Sequence, residues 1–346
     1  MNEGAGGHGL LDVEALFRFL DGHIPGAGAL ELERHREGHS NETFFLRRSG
    51  HEWVLRRPPR GAFLPTAHDV LREHRVLAAL RSTPVRAPRP VVACDDPEVI
   101  GVPFYVMEKV DGVVLRDELP EQLDAPPDRA HIGDELVDAL AELHAVDHTA
   151  VGLDGWGKPS GYLDRQLRRW SGQLELTMPL TREVPDLLAV ADWLRGRVPV
   201  PGPATIVHGD YKLDNVVFAN EAPAQLTGIL DWEMSTIGDP LADVGWMLSF
   251  WHEPEEPEDE LGLGGLTSLP GFRTRAELLD RYRERTGREA PDIVWYIVLA
   301  MWKLAILLEG SYARHLAGHT DDPFFAGMEG AVPSLAARAR EVATRA

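Results

Sequence analysis

Hydrophobic and polar positions alternate in short runs over the first third of the chain and then change to a helical period. Thr43–Arg47 and Trp53–Arg57 flank Ser49-Gly50, a pattern that predicts a hairpin. From His68 to Leu80 the residues Val70, Glu73, Leu77 and Leu80 recur at helical spacing, so a helix is expected with Glu73 on its apolar stripe. Pro88-Arg89-Pro90 breaks the chain before two further apolar stretches, Val91–Cys94 and Val99–Val110, which read as strands. Beyond Asp111 the pattern turns helical at Ile132–Val146, Leu163–Leu176 and Pro185–Arg197. A strand-like island from Thr205 to Trp232 interrupts it, and helices resume at Pro240–Phe250, Arg275–Thr286, Asp292–Leu316 and near the C-terminus. No internal repeat is visible. The expected fold class is α+β with two lobes. Residues 1–110 form a small β-rich lobe with one helix bearing Glu73 and a flexible glycine-rich N-terminus, and residues 111–346 form a larger, mainly helical lobe.

Composition narrows the function classes. The 346 residues carry 35 Lys and Arg against 55 Asp and Glu, a net charge of -20. That balance argues against nucleic acid and anionic membrane as partners, since both need a positive surface. One cysteine, Cys94, excludes an internal disulfide framework and a Cys-based zinc site. Only four residues are lysines: Lys109, Lys158, Lys212 and Lys303. The N-terminus lacks the basic-then-apolar pattern of a signal peptide. The most apolar run, Ile293 to Leu308, contains Lys303 and falls short of the roughly 20 residues a membrane span needs, so it reads as a core helix. A soluble, cytoplasmic protein of undetermined oligomeric state is expected. Glu253 to Glu260, rich in acids and prolines, reads as a solvated loop, with a flap over a substrate site as the sharper alternative.

The densest chemistry lies in the island. His208-Gly209-Asp210-Tyr211-Lys212-Leu213-Asp214-Asn215 follows an apolar strand, and Val216–Phe218 leads through a turn to Leu226–Leu230 and Asp231-Trp232-Glu233. If Val216–Phe218 pairs with Gly228–Leu230, Asn215 and Asp231 stand side by side at one end of the hairpin, with Asp210 on the loop entering that end. An amide carbonyl and a carboxylate suit a hard ion such as Mg²⁺, and a second carboxylate can orient a hydroxyl and accept its proton. His-x-Asp-x-x-x-x-Asn followed by a later Asp is the signature of kinase-type phosphoryl transfer. Any one of these residues alone would more simply cap a turn. Their joint spacing favours chemistry.

On these residues the chain resembles the aminoglycoside phosphotransferase and choline kinase group of protein-kinase-like enzymes. Within that group it is most similar to phosphotransferases related to the kinase-like domain fused to some acyl-CoA dehydrogenases. His-Gly-Asp, Asp231-Trp232-Glu233, Ile237-Gly238-Asp239-Pro240-Leu241-Ala242-Asp243, Gly38-His39-Ser40-Asn41 and Val54-Leu55-Arg56-Arg57-Pro58-Pro59 carry the match. It implies a bilobal protein-kinase-like fold with a catalytic loop at 208–215 and a metal motif at 231–233, and ATP and Mg²⁺ as cofactors.

The resemblance implies roles residue by residue. Asp210 is the base or hydroxyl-orienting group, Lys212 is directed at the transferred phosphate, and Asn215 and Asp231 hold Mg²⁺. Ser40 and Asn41 belong to a phosphate-covering loop, Met107 guards the back of the adenine pocket, and backbone groups of Glu108 and Val110 bond the adenine edge. Glu73 is the glutamate that kinases pair with a strand lysine, but no lysine precedes Lys109. Arg56 and Arg57 occupy the equivalent strand on opposite faces, and Arg56 is chosen because it leaves Val54 on its own face for the adenine. Asp239-Pro240 reads as a helix start, and Asp243 is placed to accept backbone N–H groups of the catalytic loop. The function implied is ATP-dependent transfer of a phosphoryl group to a small-molecule hydroxyl, such as a hydroxy acid or hydroxyacyl-CoA. The alternatives are an aminoglycoside-type antibiotic phosphotransferase, a nucleotide-binding pseudokinase scaffold, and a metal-dependent hydrolase.

Overall fold

A turn of two residues with positive φ, Ser49 at 51° and Gly50 at 78°, starts the strand pairing. In the computed structural model, which describes residues 11–35, 41–59, 69–256, 265–318 and 323–346, this turn joins β2 (Glu42–Arg48) to β3 (His51–Arg57). The expectations for residues 1–10, for Gly38 to Ser40 and for residues 257–264 lie outside the described residues. β1 (Glu31–His35), β4 (Pro90–Cys94) and β5 (Phe104–Glu108) complete an antiparallel sheet in the order β1-β2-β3-β5-β4. β1 was not expected, because its sequence Glu-Leu-Glu-Arg-His has no apolar alternation. It is a charged edge strand, and it is tied to β2 and the adjoining turn side by Arg34–Glu42 at 2.8 Å and Glu33–Arg47 at 2.6 Å.

Alternation along β2 and β3 sends Phe44, Leu46, Trp53 and Leu55 into a core shared with Leu16 and Leu20 of α1 (Val13–Leu20) and Phe104 and Val106 of β5. The helix α2 (Val70–Leu80) is capped by Asp69, which accepts the Arg72 N–H at 2.9 Å, and it buries Val70, Glu73, Val76, Leu77 and Leu80. The stretch Val99–Val110 is not one strand, contrary to expectation. Asp96 caps the Glu98 N–H, Pro97 opens a helical turn, α3 (Pro97–Ile100), and Gly101 at φ 82° ends it, so the strand begins only at Phe104.

Helices dominate the rest: α4 (Pro126–His144), α5 (Tyr162–Thr177), α6 (Pro185–Arg195), α7 (Leu241–Ser249), α8 (Arg275–Thr286), α9 (Ile293–Leu316) and α10 (Met328–Arg345). α4 begins six positions before its apolar periodicity, because Pro126 supplies the fixed φ of a first helical turn. Short strands β6 (Thr205–Val207), β7 (Val216–Phe218), β8 (Leu226–Ile229) and β9 (Thr236–Gly238) form two two-stranded sheets, β6 with β9 and β7 with β8. The β7–β8 turn closes through the Ala219 N–H on the Gln225 carbonyl at 2.8 Å. By their internal contacts, Met1–Gly112 with Thr227–Ser235 form one unit and Val113–Leu226 with Thr236–Ala346 another. The segment carrying Asp231-Trp232-Glu233 thus belongs to the sheet unit.

α9 is long and apolar enough to cross a membrane, yet 61% of its most apolar window is buried against protein. The described start of the acidic run is solvated only in part: Pro254 and Glu255 are exposed as expected, whereas Glu253 and Glu256 are half-buried. Glu256 pairs with Arg275 at 2.7 Å and Arg338 at 3.1 Å, and although burial alone would raise its carboxyl, Arg275 brings it down to about 2.

α7 and α9 cross closely where Gly245 faces Tyr296. A Cβ on Gly245 would lie 2.6 Å from backbone and side-chain carbons of Tyr296, and backbone cannot yield cheaply. Gly245→Ala is therefore expected to destabilise the protein by about 1–3 kcal/mol. Urea denaturation measures this, and an unchanged midpoint would contradict the close crossing.

Candidate functional site

Within the helical unit, β6 delivers the chain into His208-Gly209-Asp210. Gly209 has φ 85°, a conformation that side chains with a Cβ rarely adopt. The loop backbone is clamped from α7. The His208 N–H donates to Asp243 Oδ2 at 2.6 Å and the Gly209 N–H donates to Asp243 Oδ1 at 2.8 Å. Asp243 is 1% exposed, and His144 Nε2 lies 3.3 Å from Oδ2 while His144 Nδ1 lies 2.8 Å from the Tyr282 hydroxyl. Burial alone would raise the Asp243 carboxyl, but His144 and the loop N–H groups outweigh it and hold it below the usual carboxylate range. His208 is fully buried, and its Nδ1 accepts the Asp210 N–H at 3.3 Å, which braces the loop.

Asp210 is held through both carboxylate oxygens. Trp246 Nε1–H donates to Oδ1 at 2.8 Å, and Asn215 Nδ2 donates to Oδ2 at 2.7 Å and to the Asp210 carbonyl at 2.8 Å. Lys303 Nζ donates to the Gly209 carbonyl at 2.9 Å and sits 4.0 Å from the centre of the Trp246 ring. Lys212 pairs with Asp214 at 3.1 Å and lies 4.9 Å from the Phe250 ring centre. Asp239 accepts the Leu241 N–H at 3.0 Å and the Tyr296 hydroxyl at 2.6 Å, but the capping position of α7 is Pro240, one residue later than expected. Trp295 and Trp302 donate their indole N–H groups to the Leu194 and Leu187 carbonyls, and both belong to the core.

Within the sheet unit a second cluster forms. Arg56 makes a buried ion pair with Glu73, and its two terminal nitrogens lie 3.3 and 3.4 Å from Asp231 Oδ1. Glu73 is 1% exposed and also accepts the Trp232 N–H at 3.2 Å. Burial alone would lower the Arg56 guanidinium; the carboxylates of Glu73 and Asp231 reverse this and keep it charged. Arg57 points to the other face, pairs with Glu42 at 2.6 Å and lies over Phe44. Asp231 itself has φ 61°, a conformation uncommon outside glycine, which marks a held position. Asn41 Nδ2 donates to Glu233 Oε2 at 3.3 Å.

Val54 and Met107 are cross-strand partners and both are buried. The Glu108 N–H donates to the Arg89 carbonyl at 2.8 Å, which makes it unavailable to a ligand. The Val110 N–H donates to no carbonyl among the described residues. Ser40 lies outside the described residues.

Asn215 and Asp231, expected side by side, belong to different units. Each nonetheless has an oxygen suited to a hard cation. Asn215 spends its amide hydrogens on Asp210 and its Oδ1 accepts no hydrogen bond among the described residues, and Asp231 Oδ2 has no partner there either. The described residues hold no cluster of three or more His, Cys, Asp or Glu side chains suited to a metal.

Sequence reasoning missed Trp246, His144 and Tyr282, which join the site only through tertiary packing. Lys303 carried one signal, a charge inside the most apolar run of the chain.

A sequence profile described as the phosphotransferase enzyme family matches residues 31–283. Rat acyl-CoA dehydrogenase family member 11 is 35% identical over 325 residues, covering 90% of this chain and 41% of that protein. The chain thus spans about two fifths of the curated relatives it matches. A solved structure from Ralstonia eutropha, provisionally assigned as an aminoglycoside phosphotransferase, is 34% identical with a TM-score of 0.81, covering 97% of this chain and 99% of that one. The GDP complex of aminoglycoside 2′-phosphotransferase-IIIa, 18% identical with a TM-score of 0.62 over 94% of this chain and 98% of that one, shares the kinase-like fold.

Two outcomes test the clusters. Arg56→Met strands Glu73 as a buried unpaired charge and should cost about 3–5 kcal/mol in urea denaturation, with Arg56→Met/Glu73→Gln losing less. A single variant no worse than the double would refute the pairing. Because the Asp243 carboxyl is held down in the folded state, its contribution to stability is complete above the unfolded value of about 4 and is lost as pH falls through the lower folded value. Asp243→Asn should therefore destabilise most near neutrality, with its deficit against the parent shrinking below about pH 4. A deficit that stays constant over that range would remove the charge from the explanation.

Proposed function

The chain belongs to the phosphotransferase enzyme family, and we propose that it transfers the γ-phosphoryl group of ATP to a hydroxyl of a small molecule. The observation that carries this reading is the Asp210 carboxylate, oriented through both oxygens on a loop whose backbone Asp243 clamps. A carboxylate offers about four acceptor positions, so two bonds from Trp246 and Asn215 leave it able to receive a hydroxyl proton. As the acceptor oxygen bonds to the γ-phosphorus and the bond from that phosphorus to the β–γ bridging oxygen breaks, Asp210 takes the proton and ADP leaves. Phosphoryl transfer of this kind depends on positioning and on neutralising phosphate charge. Mg²⁺ held by Asn215 and Asp231 would supply most of that neutralisation when bound. Arg56, fixed by Glu73, replaces the usual lysine as the phosphate clamp, and Lys212 adds charge two residues from Asp210. Asn41 would cover the phosphates, Val54 and Met107 would face the adenine, and the Val110 N–H would bond its edge.

For the acceptor we favour a hydroxy acid or its CoA thioester over an aminoglycoside. Two facts support this: the kinship with an acyl-CoA dehydrogenase family member, and the positive charge of Lys303 close to Asp210, which disfavours a polycation. A pseudokinase scaffold would not need Asp210, Asn215 and Asp231 together.

ADP release should be measured with ATP or GTP against a panel of hydroxy acids, hydroxyacyl-CoA thioesters and aminoglycosides, with and without Mg²⁺. Asp210→Ala is expected to lower transfer by about 10²–10⁴-fold while nucleotide affinity barely changes. Unchanged turnover in that variant removes the mechanism. Nucleotide binding with no phosphorylated product would favour the scaffold, and phosphate release without a phosphorylated acceptor would favour a hydrolase.

A further inference from the structure

Lys303 lies on the buried helix α9, and nothing in the phosphoryl-transfer scheme above requires it. Lys303 is half-buried, and an ammonium partly withdrawn from water needs compensation. Its direct contacts are a carbonyl and two indoles, and the Asp210 and Asp243 carboxylates act on it from further away. Lys303 Nζ donates to the Gly209 carbonyl at 2.9 Å, sits 4.0 Å from the Trp246 ring centre and lies 5.6 Å from the Trp170 ring centre. Two of these three contacts lead toward Asp210. Gly209 precedes it in the chain, and the Trp246 indole N–H is one of the two side-chain donors that orient its carboxylate.

Building on the function proposed above, we propose that Lys303 is a positioning residue for Asp210, acting through the Gly209 carbonyl and the Trp246 indole. A cation over the face of an indole is attracted by the negative face of the ring. It also draws electron density from the ring, so the N–H becomes a stronger donor to the carboxylate it serves. Lys303 therefore fixes the loop backbone on one side of Asp210 and strengthens the side-chain bond on the other. It touches neither substrate nor nucleotide in this role.

The groups around Lys303 make its charge responsive to pH. Arg169 and Trp170 approach from α5, Asp243 and Trp246 from α7, and Asp210 from the loop, while Tyr162 and Tyr296 line the same small cavity. Burial lowers the Lys303 ammonium to about 8, and Asp210 and Asp243 oppose that shift without cancelling it. Lys303 is thus charged below about 8 and neutral above it, so the strengthened Trp246–Asp210 bond is lost as pH rises through that value.

One experiment needs no acceptor. The indole ¹H–¹⁵N resonance of Trp246, assigned with Trp246→Phe, is followed with rising pH in the protein, in Lys303→Arg and in Lys303→Met. It should move with a midpoint near 8 in the parent and show no such midpoint in either variant. A resonance that stays still, or that titrates equally in Lys303→Met, overturns the proposal. A second arm uses Mg²⁺-ATP with the best acceptor of the panel. Lys303→Met should lower kcat by about tenfold with the KM for ATP unchanged, and Lys303→Arg should recover most of it. Full activity in Lys303→Met, or a loss expressed in KM alone, counts against the role. If the parent transfers to no acceptor, the functional reading fails while the resonance still decides the role of Lys303 at Asp210.

Discussion

A single buried carboxylate carries the organisation of the helical unit. Asp243 receives the N–H groups of His208 and Gly209, and it meets His144, which in turn meets Tyr282. These contacts draw α4, α8, α7 and the loop after β6 onto one point. Asp243 can be buried because each oxygen is met by donors. Those donors include two consecutive backbone amides that a left-handed glycine turns inward. Without that anchor, the loop would have to satisfy its own amides elsewhere, and Asp210 would lose the fixed backbone from which Trp246 and Asn215 orient it.

The sheet unit solves a similar problem with a different group. Glu73 is buried on a helix whose neighbours on the same stripe are apolar, so its charge demands a partner that stays ionised under all ordinary conditions. Arginine meets that demand better than lysine, because desolvation does not neutralise a guanidinium. The fork of Arg56 also reaches two carboxylates at once, Glu73 and Asp231, which a lysine's single nitrogen does less readily. The absence of any lysine before Lys109 is therefore consistent with a buried, doubly paired position.

Much of this was legible from local pattern. Period-two alternation placed β2 and β3, helical spacing put Glu73 on a buried face, and strand alternation separated Arg56 from Arg57. The elements that escaped had no such pattern. β1 is polar because both its faces are largely exposed, β9 is three residues long, and the helical turn at Pro97 hides inside an apolar run. Within the site, Asp210 and Asn215 were readable because their five-residue step is local. Trp246, His144 and Tyr282 were not readable, and Lys303 showed only as a charge inside an apolar run, since their roles arise only when separate helices meet.

Buried Arg56 and half-buried Lys303 show why the chemical type of a charge matters as much as its sign. Arg56 sits beside carboxylates, where permanent charge prevents a buried acid from standing alone. Lys303 sits beside a carbonyl and aromatic faces, where its neutral form is tolerable and its charged form polarises the ring that orients Asp210. Exchanging the two residue types would reverse both effects. A lysine at position 56 would be open to losing its proton to burial, and an arginine at position 303 would hold its charge at every accessible pH. The chain places its few lysines sparingly, and the one inside its most apolar helix occupies a position where a titratable charge has a physical consequence.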